Sequence, residues 1–265
     1  MLSLYIQHKR HGDEFELKNI EVTIMPSQIT LLLGHNGAGK TTIIKSLFGL
    51  MDYVGTLSVN NKKIDLNVSE DVDYLKKNVS YISDEIALFD YLTPKEYFSL
   101  IENSFKHQVD HQLLEKLIKI FELERYLHIP ISNLSHGNKK KTQIVSQLFK
   151  GSEFVIFDEP TNGLDPDMVI ILRKTLHFLK TKGIGILLST HHLSFGEELY
   201  DKVILLRNGK VKLNCTRDQV FEQFGRMSLE EIYEEANKDY YLKAEEILNA
   251  PDVRDNSEDR DSETG

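Results

Sequence analysis

Residues 29–41 read ITLLLGHNGAGKT, an apolar run followed by the complete pattern GxxxxGK[ST]. The apolar run Ile29–Leu33 predicts a buried strand, and the residues after the loop predict a helix. Glycines let the chain between them curl, so that its N–H groups and the N-terminus of the helix point at phosphate oxygens. In such a loop Lys40 reaches the β- and γ-phosphates, and the hydroxyl of Thr41 can ligate Mg²⁺. The stretch predicts an α/β fold that binds a nucleoside triphosphate.

The predicted nucleotide contacts lie in this loop and at the start of the helix. Backbone N–H donors face the phosphate oxygens, and a single ammonium group offsets their charge. The residues concerned are Gly34, Asn36, Gly37, Ala38, Gly39, Lys40, Thr41 and Thr42.

The overall composition limits the classes of partner. The 265 residues contain 32 Lys and Arg against 41 Asp and Glu, which gives a formal net charge of −9. Such a surface repels phosphate backbones, so nucleic acid is not an expected partner. The single cysteine, Cys215, cannot form an internal disulfide and suits a reducing compartment. No stretch approaches the roughly 18 apolar residues of a membrane span, so a membrane role requires a separate subunit that supplies the spans.

The apolar pattern predicts a sheet domain with a flank of different type. The alternating runs Leu2–Ile6 and Leu17–Ile24 predict antiparallel strands. Continuous apolar runs at Phe154–Phe157, Ile184–Leu188 and Val203–Leu206 recur between helical stretches and predict buried parallel strands. We therefore expect residues 1–86 and 151–215 to form an α/β nucleotide-binding core with an antiparallel β flank.

The remaining segments are predicted to be helical or irregular. Residues 87–150 show apolar residues at helical spacing and predict an α-helical subdomain that interrupts the sheet. Residues 216–250 predict two helices, the second running from Ser228 to about Leu248, with a Ser–Leu–Glu–Glu start typical of a capping box. Residues 251–265 are acid-rich and are expected to be a disordered tail.

A second candidate site element is the run FVIFDE at Phe154–Glu159. It predicts a buried strand that ends in two carboxylates, at the edge where a parallel α/β sheet presents its ligand groups. We expect Asp158 to hold Mg²⁺ through water. Glu159 is then placed to accept a proton from an attacking water beside the γ-phosphate. An Asp–Glu pair also ends many ordinary strands, but the preceding phosphate loop favours the catalytic interpretation.

Between these elements, Leu134–Asn138 reads LSHGN, and here the chain resembles the ATP-binding-cassette (ABC) family, whose signature is LSGGQ. Two further elements of that family follow in order: Gly163–Pro166 resembles its D-loop, and Ser189–His191 its switch-histidine loop. The resemblance covers the chain from about Leu2 to Val211. It implies a P-loop NTPase (RecA-like) core with an antiparallel β flank, a helical ABC signature subdomain, and ATP with Mg²⁺ as cofactors.

The resemblance also implies a dimer. In the family two cassettes pair head to tail, so that Ser135 and Gly137 of one chain complete the ATP site of the other. Asp165 is then expected at the seam, coupling the two sites. His191, rather than the adjacent His192, matches the family spacing and is expected to hold the γ-phosphate and the attacking water in register. Lys40, Glu159 and His191 are the predicted catalytic residues.

The sequence departs from the family pattern at three places. Asp84 stands where the family commonly has a metal-sensing Gln; as a carboxylate it is expected to ligate Mg²⁺ and to make nucleotide binding more dependent on the metal. His11 occupies the station of the aromatic residue that stacks on adenine, and Phe15 is the alternative, although its position in an alternating strand favours a core role. His136 and Asn138 replace two residues of the signature.

The resemblance implies the ATP-binding and hydrolysing subunit of an ABC transporter. A single cassette with a short helical insert is most similar to ABC-2 type exporters, so export is the expected direction. The segment Ile86–Tyr97 is the expected docking site for a polytopic transmembrane permease subunit; the alternative for its large apolar side chains is a role in the core. The chain is then expected at the cytoplasmic face of the membrane, held there by that subunit. The alternative is a soluble ABC-type ATPase acting on a ribosome or nucleic-acid complex.

Overall fold

The computed structural model describes residues 1–11, 15–105 and 108–249, and for residue 11 only the backbone. The described strands are β1 (Leu2–His11), β2 (Phe15–Ile24), β3 (Ile29–Leu33), β4 (Val54–Val59), β5 (Lys62–Ile64), β6 (Val79–Ile82), β7 (Phe154–Asp158), β8 (Gly185–Thr190), β9 (Lys202–Arg207) and β10 (Lys210–Thr216). The described helices are α1 (Lys40–Leu47), α2 (Ser69–Asn78), α3 (Pro94–Ser104), α4 (His111–Ile120), α5 (His136–Leu148), α6 (Pro166–Thr181), α7 (Leu193–Glu197), α8 (Arg217–Phe224), α9 (Leu229–Ala236) and α10 (Lys238–Leu248).

The main sheet has six strands in the order β10-β9-β3-β8-β7-β6. Strands β9, β3, β8, β7 and β6 are parallel, and β10 is antiparallel to β9. Every residue of β3, β7 and β8 is buried, as expected for strands covered on both faces. Because parallel strands end at the same edge, the loops after β3, β6, β7 and β8 lie together at the carboxyl end of the sheet.

A four-stranded antiparallel sheet, in the order β2-β1-β4-β5, forms the predicted flank. Its inward residues, such as Leu4 and Ile20, share one hydrophobic core with Leu32 and Leu187 of the main sheet and with Ile44 of α1. Strands β4, β5 and β10 were not identified from the apolar pattern. More than half of the residues in these three strands are exposed or only partly buried, so their hydrophobic signal is weak.

The opposite face of the main sheet is covered by helices. A second core joins Leu31 and Val155 of the sheet to Ile144 of α5 and Leu172 of α6. Between residues 87 and 150 the described chain forms α3, α4, α5 and two short 3₁₀ turns, with no strand. Helix α5 contacts β6, and Lys140 in the first half of α5 donates to the carbonyl oxygen of Ser83 in the loop after β6.

The structure differs from the prediction at the C-terminal end. The single helix expected from Ser228 to about Leu248 is divided into α9 and α10 at Asn237, so that part of the prediction is wrong. Asn237 is buried, and its side-chain amide donates to the carbonyl oxygen of Tyr233 at 2.7 Å, the acceptor that a continuous helix gives to a backbone N–H. The predicted tail, residues 251–265, lies outside the described residues.

Nowhere in the described ranges does a helix combine the length and the apolar character that crossing a membrane requires.

Candidate functional site

The phosphate loop connects β3 to α1, and its glycines are required by the backbone. Gly39 lies directly before α1 with φ at 111°, a left-handed conformation that side chains rarely adopt. A Cβ atom on Gly34 would lie 2.5 Å from the carbonyl oxygen of Leu206. The loop thus runs close against β9 and delivers the N-terminus of α1 to the carboxyl edge of the sheet.

The side chain of Lys40 is buried at this edge. Its ammonium donates to the carbonyl oxygen of Gly34 at 2.7 Å and lies 3.2 Å from Oε1 of Glu159. The second contact is an ion pair without hydrogen-bond geometry, because Glu159 Oε1 has no hydrogen-bond partner among the described residues. The predicted phosphate-binding cation and the predicted general base are therefore direct neighbours.

Asp158 accepts two hydroxyl hydrogen bonds. Thr41 Oγ1 donates to one carboxylate oxygen at 2.9 Å, and Ser189 Oγ donates to the other at 2.9 Å. Burial raises the pKa of Asp158, the two hydrogen bonds oppose that shift, and the charges of Glu159 and Asp84 add to it. Ser189 lies in the predicted switch loop, but nothing in the sequence pattern indicated that its hydroxyl would bind this carboxylate.

Glu159 also contacts the switch loop. Its Oε2 lies 2.9 Å from Nδ1 of His191 and accepts the backbone N–H of His191 at 3.3 Å. The backbone N–H of Glu159 donates to the carbonyl oxygen of Ser189 at 3.0 Å. The residue has a positive φ of 45°, which is unusual for a side chain other than Asn or Asp and occurs often at functional sites. Lys40, Glu159 and His191 thus form one connected group.

A pocket of about 390 Å³ opens beside these residues, lined by Phe15, His35, Asn36, Gly37, Gly39, Lys40, Thr41, Thr42, Asp84 and Glu159. Phe15 is partly buried, and its ring packs directly against Gly39 in the wall of the pocket. A Cβ atom on Gly39 would lie only 2.7 Å from Cζ of this ring. The structure thus gives Phe15 a place in the pocket wall in addition to core packing. The side chain of His11 lies outside the described residues; its backbone pairs with Phe15 at the end of β1.

Asp84 follows β6 and lines the same pocket. Its carboxylate accepts a hydrogen bond from the side-chain amide of Asn162 at 2.9 Å. Asn162 lies in the loop after β7, 78 residues away along the chain, and nothing in the sequence identified it. The loops after β6 and β7 are therefore joined through this carboxylate.

The structure does not bring the signature residues to this pocket. Ser135 is the N-cap of α5, where its hydroxyl accepts the N–H of Asn138 at 3.3 Å, and neither Ser135 nor Gly137 is among the described residues that line the pocket. A Cβ on Gly137 would lie 3.1 Å from the carbonyl oxygen of Gly163, so the signature and the D-loop segment contact each other. Asp165 is the N-cap of α6 and accepts the N–H of Met168 at 2.9 Å.

The residues present fit a Mg²⁺ ion that is carried by phosphate. Thr41, Asp158 and Asp84 offer oxygen donors, which Mg²⁺ prefers, and the carboxylates create a local negative charge that favours a cation. Among the described residues no group of three or more His, Cys, Asp or Glu could hold a metal by itself.

The site defines a P-loop nucleotide-binding cassette. Its parts are a strand, a glycine-rich phosphate loop, a helix, and a second strand that ends in Asp and Glu. The ABC transporter family matches residues 17–162, more than half of the chain. This chain belongs to the ABC transporter family, and within it the chain is an ATP-binding subunit with ATPase activity coupled to transport.

Two curated relatives and two solved structures document the similarity. EcsA, an ABC-type transporter ATP-binding protein of Bacillus subtilis strain 168, is 33% identical over 228 residues, 84% of this chain and 91% of EcsA. MJ1023, an uncharacterized ABC transporter ATP-binding protein of Methanocaldococcus jannaschii, is 33% identical over 250 residues, 91% of this chain and 90% of that protein. A solved ATP-binding subunit of an ABC transporter is 31% identical with a TM-score of 0.80, covering 89% of this chain and 99% of its own. The cbiO1 structure from Clostridium perfringens, part of the ABC transporter complex cbiONQ, is 25% identical with a TM-score of 0.69, covering 84% and 91%.

Proposed function

We propose that this chain binds ATP at the loop Gly34–Thr42 and hydrolyses it with Glu159 as general base. The observation that carries the proposal is the position of Glu159, which contacts the ammonium of Lys40 on one side and the imidazole of His191 on the other. A base in this position is close to both the phosphate-binding cation and the group that orients the attacking water. Lys40 exchanges its contacts with Gly34 and Glu159 for the β- and γ-phosphates when ATP binds.

Thr41, Asp158 and Asp84 are the residues that would hold Mg²⁺ at this site. When bound, the ion neutralises charge on the phosphates. Phe15 supplies a ring face for the adenine at the mouth of the pocket. His11, at the end of the neighbouring strand, is the alternative stacking residue.

The working unit in this proposal contains two cassettes. Ser135 and Gly137 do not line the described pocket of their own chain, which supports a role at the ATP site of a partner cassette. The N-terminus of α5, where the first N–H groups have no carbonyl partner within the helix, suits a γ-phosphate there. Asp165 caps α6 next to the loop that contacts the signature, a suitable place for a residue at the seam.

A permease subunit is proposed to dock on the segment Ile86–Tyr97. Its side chains divide between two roles: Tyr97 is buried against Ile131, whereas Phe89 and Tyr91 are 48% and 77% exposed. The rings of Phe89 and Tyr91 lie 5.8 Å apart and form an aromatic patch beside the Asp84 loop. Paired exposed aromatic residues are typical of protein contact sites. Docking there would hold the chain at the cytoplasmic face of the membrane.

Export is the proposed direction. It is supported by the short helical region and by the described C-terminal part, residues 217–248, which forms helices only and adds no β-domain. One relative is an importer: TcyN, an L-cystine import ATP-binding protein of Bacillus subtilis, is 25% identical over 95% of this chain. Direction therefore needs a transport measurement in vesicles of known orientation.

Affinity purification of the tagged chain in mild detergent tests the docking proposal. We expect a polytopic membrane protein to co-purify, and its recovery to fall at least about tenfold when Phe89 and Tyr91 are both changed to serine. Phe221→Ser, which changes an exposed aromatic residue on α8, is the matched control and should leave recovery unchanged. Recovery of ribosomal or DNA-associated proteins without a membrane protein would instead support the soluble ABC-type ATPase.

A further inference from the structure

A lysine on α5 binds the backbone of the Asp84 loop, residues 83–85. The side chain of Lys140 has no solvent exposure. Its ammonium donates to the carbonyl oxygen of Ser83 at 2.8 Å and to that of Asp84 at 3.0 Å. One turn further along, Gln143 donates to Ser83 Oγ at 2.9 Å and to the carbonyl oxygen of Glu85 at 3.1 Å. The loop is thus fastened to α5 by two side chains.

An ammonium buried in this way is costly unless carboxylates lie nearby. Taking a charge out of water costs several kcal/mol, and carbonyl dipoles offset only part of that. Burial lowers the pKa of Lys140, whereas Asp84 first, then Asp158 and Glu159, act in the opposite direction. The carboxylates of the candidate ATP site, Asp84 first among them, therefore favour the charged form of Lys140.

The position of Lys140 along the chain links two parts of the site. Lys140 lies in the first turns of α5, close to the signature residues. Ser135 is the N-cap of that helix, and Gly137 lies in its first turn. Asp84 is held from its other side by Asn162, in the loop after β7. Any shift of α5 relative to the sheet must therefore stretch the contacts of Lys140 or move the Asp84 loop with it.

We propose that Lys140 is a positioning residue that supplies the counter-charge for Asp84 and fixes the Asp84 loop to the signature helix. The inference rests on the proposed function, because it assigns Lys140 to the same ATP site. It also explains how the ATP site can hold a carboxylate at position 84. Without Lys140, the carboxylate of Asp84 would add a negative charge to that of Asp158, and would repel ATP whenever Mg²⁺ is scarce.

The test is a double-mutant cycle on binding of a fluorescent ATP analogue, measured with EDTA and with Mg²⁺. Lys140→Met removes the charge and keeps an unbranched side chain. We expect it to weaken binding in EDTA about tenfold, with most of the loss recovered in Mg²⁺. In an Asp84→Asn background the same change should cost less than about threefold, because the charge that Lys140 offsets is gone. Lys141→Met, a change of the next residue on the same helix, should show no such dependence on residue 84.

Equal losses in both backgrounds would contradict the counter-charge, because a purely structural role does not depend on the charge of residue 84. Hydrogen exchange of the nucleotide-free protein tests the second half of the proposal: the amides of residues 84–89 should exchange faster in Lys140→Met and not in Lys141→Met. Unchanged exchange would contradict the fastening role.

If Lys140→Met does not fold, Asp84→Asn alone is informative. It should lower the unfolding midpoint of the nucleotide-free protein by removing the main partner of a buried charge, and an unchanged or raised midpoint overturns the proposal. A wild-type chain that binds no ATP would contradict the proposed function instead.

Discussion

Lys40 and Glu159 form a buried ion pair, with Nζ of the lysine 3.2 Å from Oε1 of the glutamate. The two side chains serve different steps, since the lysine is proposed to bind phosphate and the glutamate to accept a proton. In the structure these two side chains contact each other. If Lys40 turns to the phosphates as proposed, ATP breaks this pair when it binds, and the energy of the pair is subtracted from the affinity for ATP.

Glu159→Gln is expected to separate binding from hydrolysis. The amide cannot accept the proton, so single-turnover hydrolysis should fall about 100-fold to 10,000-fold. Binding of ATP should be unchanged or tighter, because the lysine no longer leaves an ion pair, and a stable ATP-bound dimer should accumulate in gel filtration. Glu153→Gln, which changes an exposed carboxylate at the start of β7, is the control. Hydrolysis at the wild-type rate would remove Glu159 as the general base.

Phe15→Ala is expected to weaken ATP binding about tenfold through loss of the ring face above Gly39. Phe15→Tyr keeps the ring and should bind like the wild type. The measurement is a titration with ATP and, separately, with inorganic triphosphate, which has no base to stack. A loss that is equal for both ligands would mean that the ring supports the loop and does not contact adenine. His11→Ala measures the competing assignment in the same assay.

The sequence predicted the parts of the site whose positions depend on residues adjacent in the chain. A phosphate loop needs an apolar strand, glycines and a helix in succession, and Ile29–Thr41 contains all of them in 13 adjacent residues. The run Phe154–Glu159 likewise ends a buried strand at the sheet edge. For both, the residues that determine the position of a side chain are its own neighbours along the chain.

The contacts that were not predicted join distant segments. Asn162 is 78 residues from Asp84, and Lys140 is 57 residues from Ser83, so their pairing depends on how α5 and two loops pack against one sheet. The break at Asn237 has a different origin. A buried side-chain amide takes the carbonyl of Tyr233, and propensity alone did not reveal that competition.

Lys150→Met is expected to stabilise the protein in a pH-dependent manner. The lysine is buried, its ammonium lies over the ring of Phe105, and burial lowers the pKa of Lys150 to about 8 from 10.5. Below pH 8 the folded state bears the full cost of the buried charge. Between pH 8 and 10.5 the unfolded chain binds more protons than the folded one, so the stability of the wild type rises with pH and the cost disappears.

The gain from Lys150→Met should accordingly be about 3 kcal/mol larger at pH 7 than above pH 10.5, because one unit of pKa shift corresponds to about 1.4 kcal/mol. Urea denaturation of the variant and the wild type at several pH values measures the difference. Lys174→Met, which changes a solvent-exposed lysine on α6, should give no pH-dependent difference. A gain that is the same at every pH would mean that packing, and not the charge, accounts for it.

The C-terminal helices are fastened to the segment that follows the switch histidine. Glu197, at the end of α7, accepts the N–H of Leu229 at the start of α9, and its carbonyl oxygen accepts from the side chain of Arg217. Tyr233 of α9 lines a pocket of about 280 Å³ together with His191 and residues of the phosphate loop. The C-terminal region therefore reaches the candidate active site.

Glu197→Ala should detach α9 and destabilise the protein by about 1.5 to 3 kcal/mol, the range for a hydrogen bond to a charged group. Because the loss is local, limited proteolysis between α8 and α9, around Met227, should accelerate before the core unfolds. Glu198→Ala is the matched control: its carboxylate forms an exposed ion pair with Arg173 and should cost no more than about 1 kcal/mol. Equal effects of the two changes would mean that Glu197 does not hold α9, and that the C-terminal helices stay in place through the apolar contacts of Leu229 and Ile232 alone.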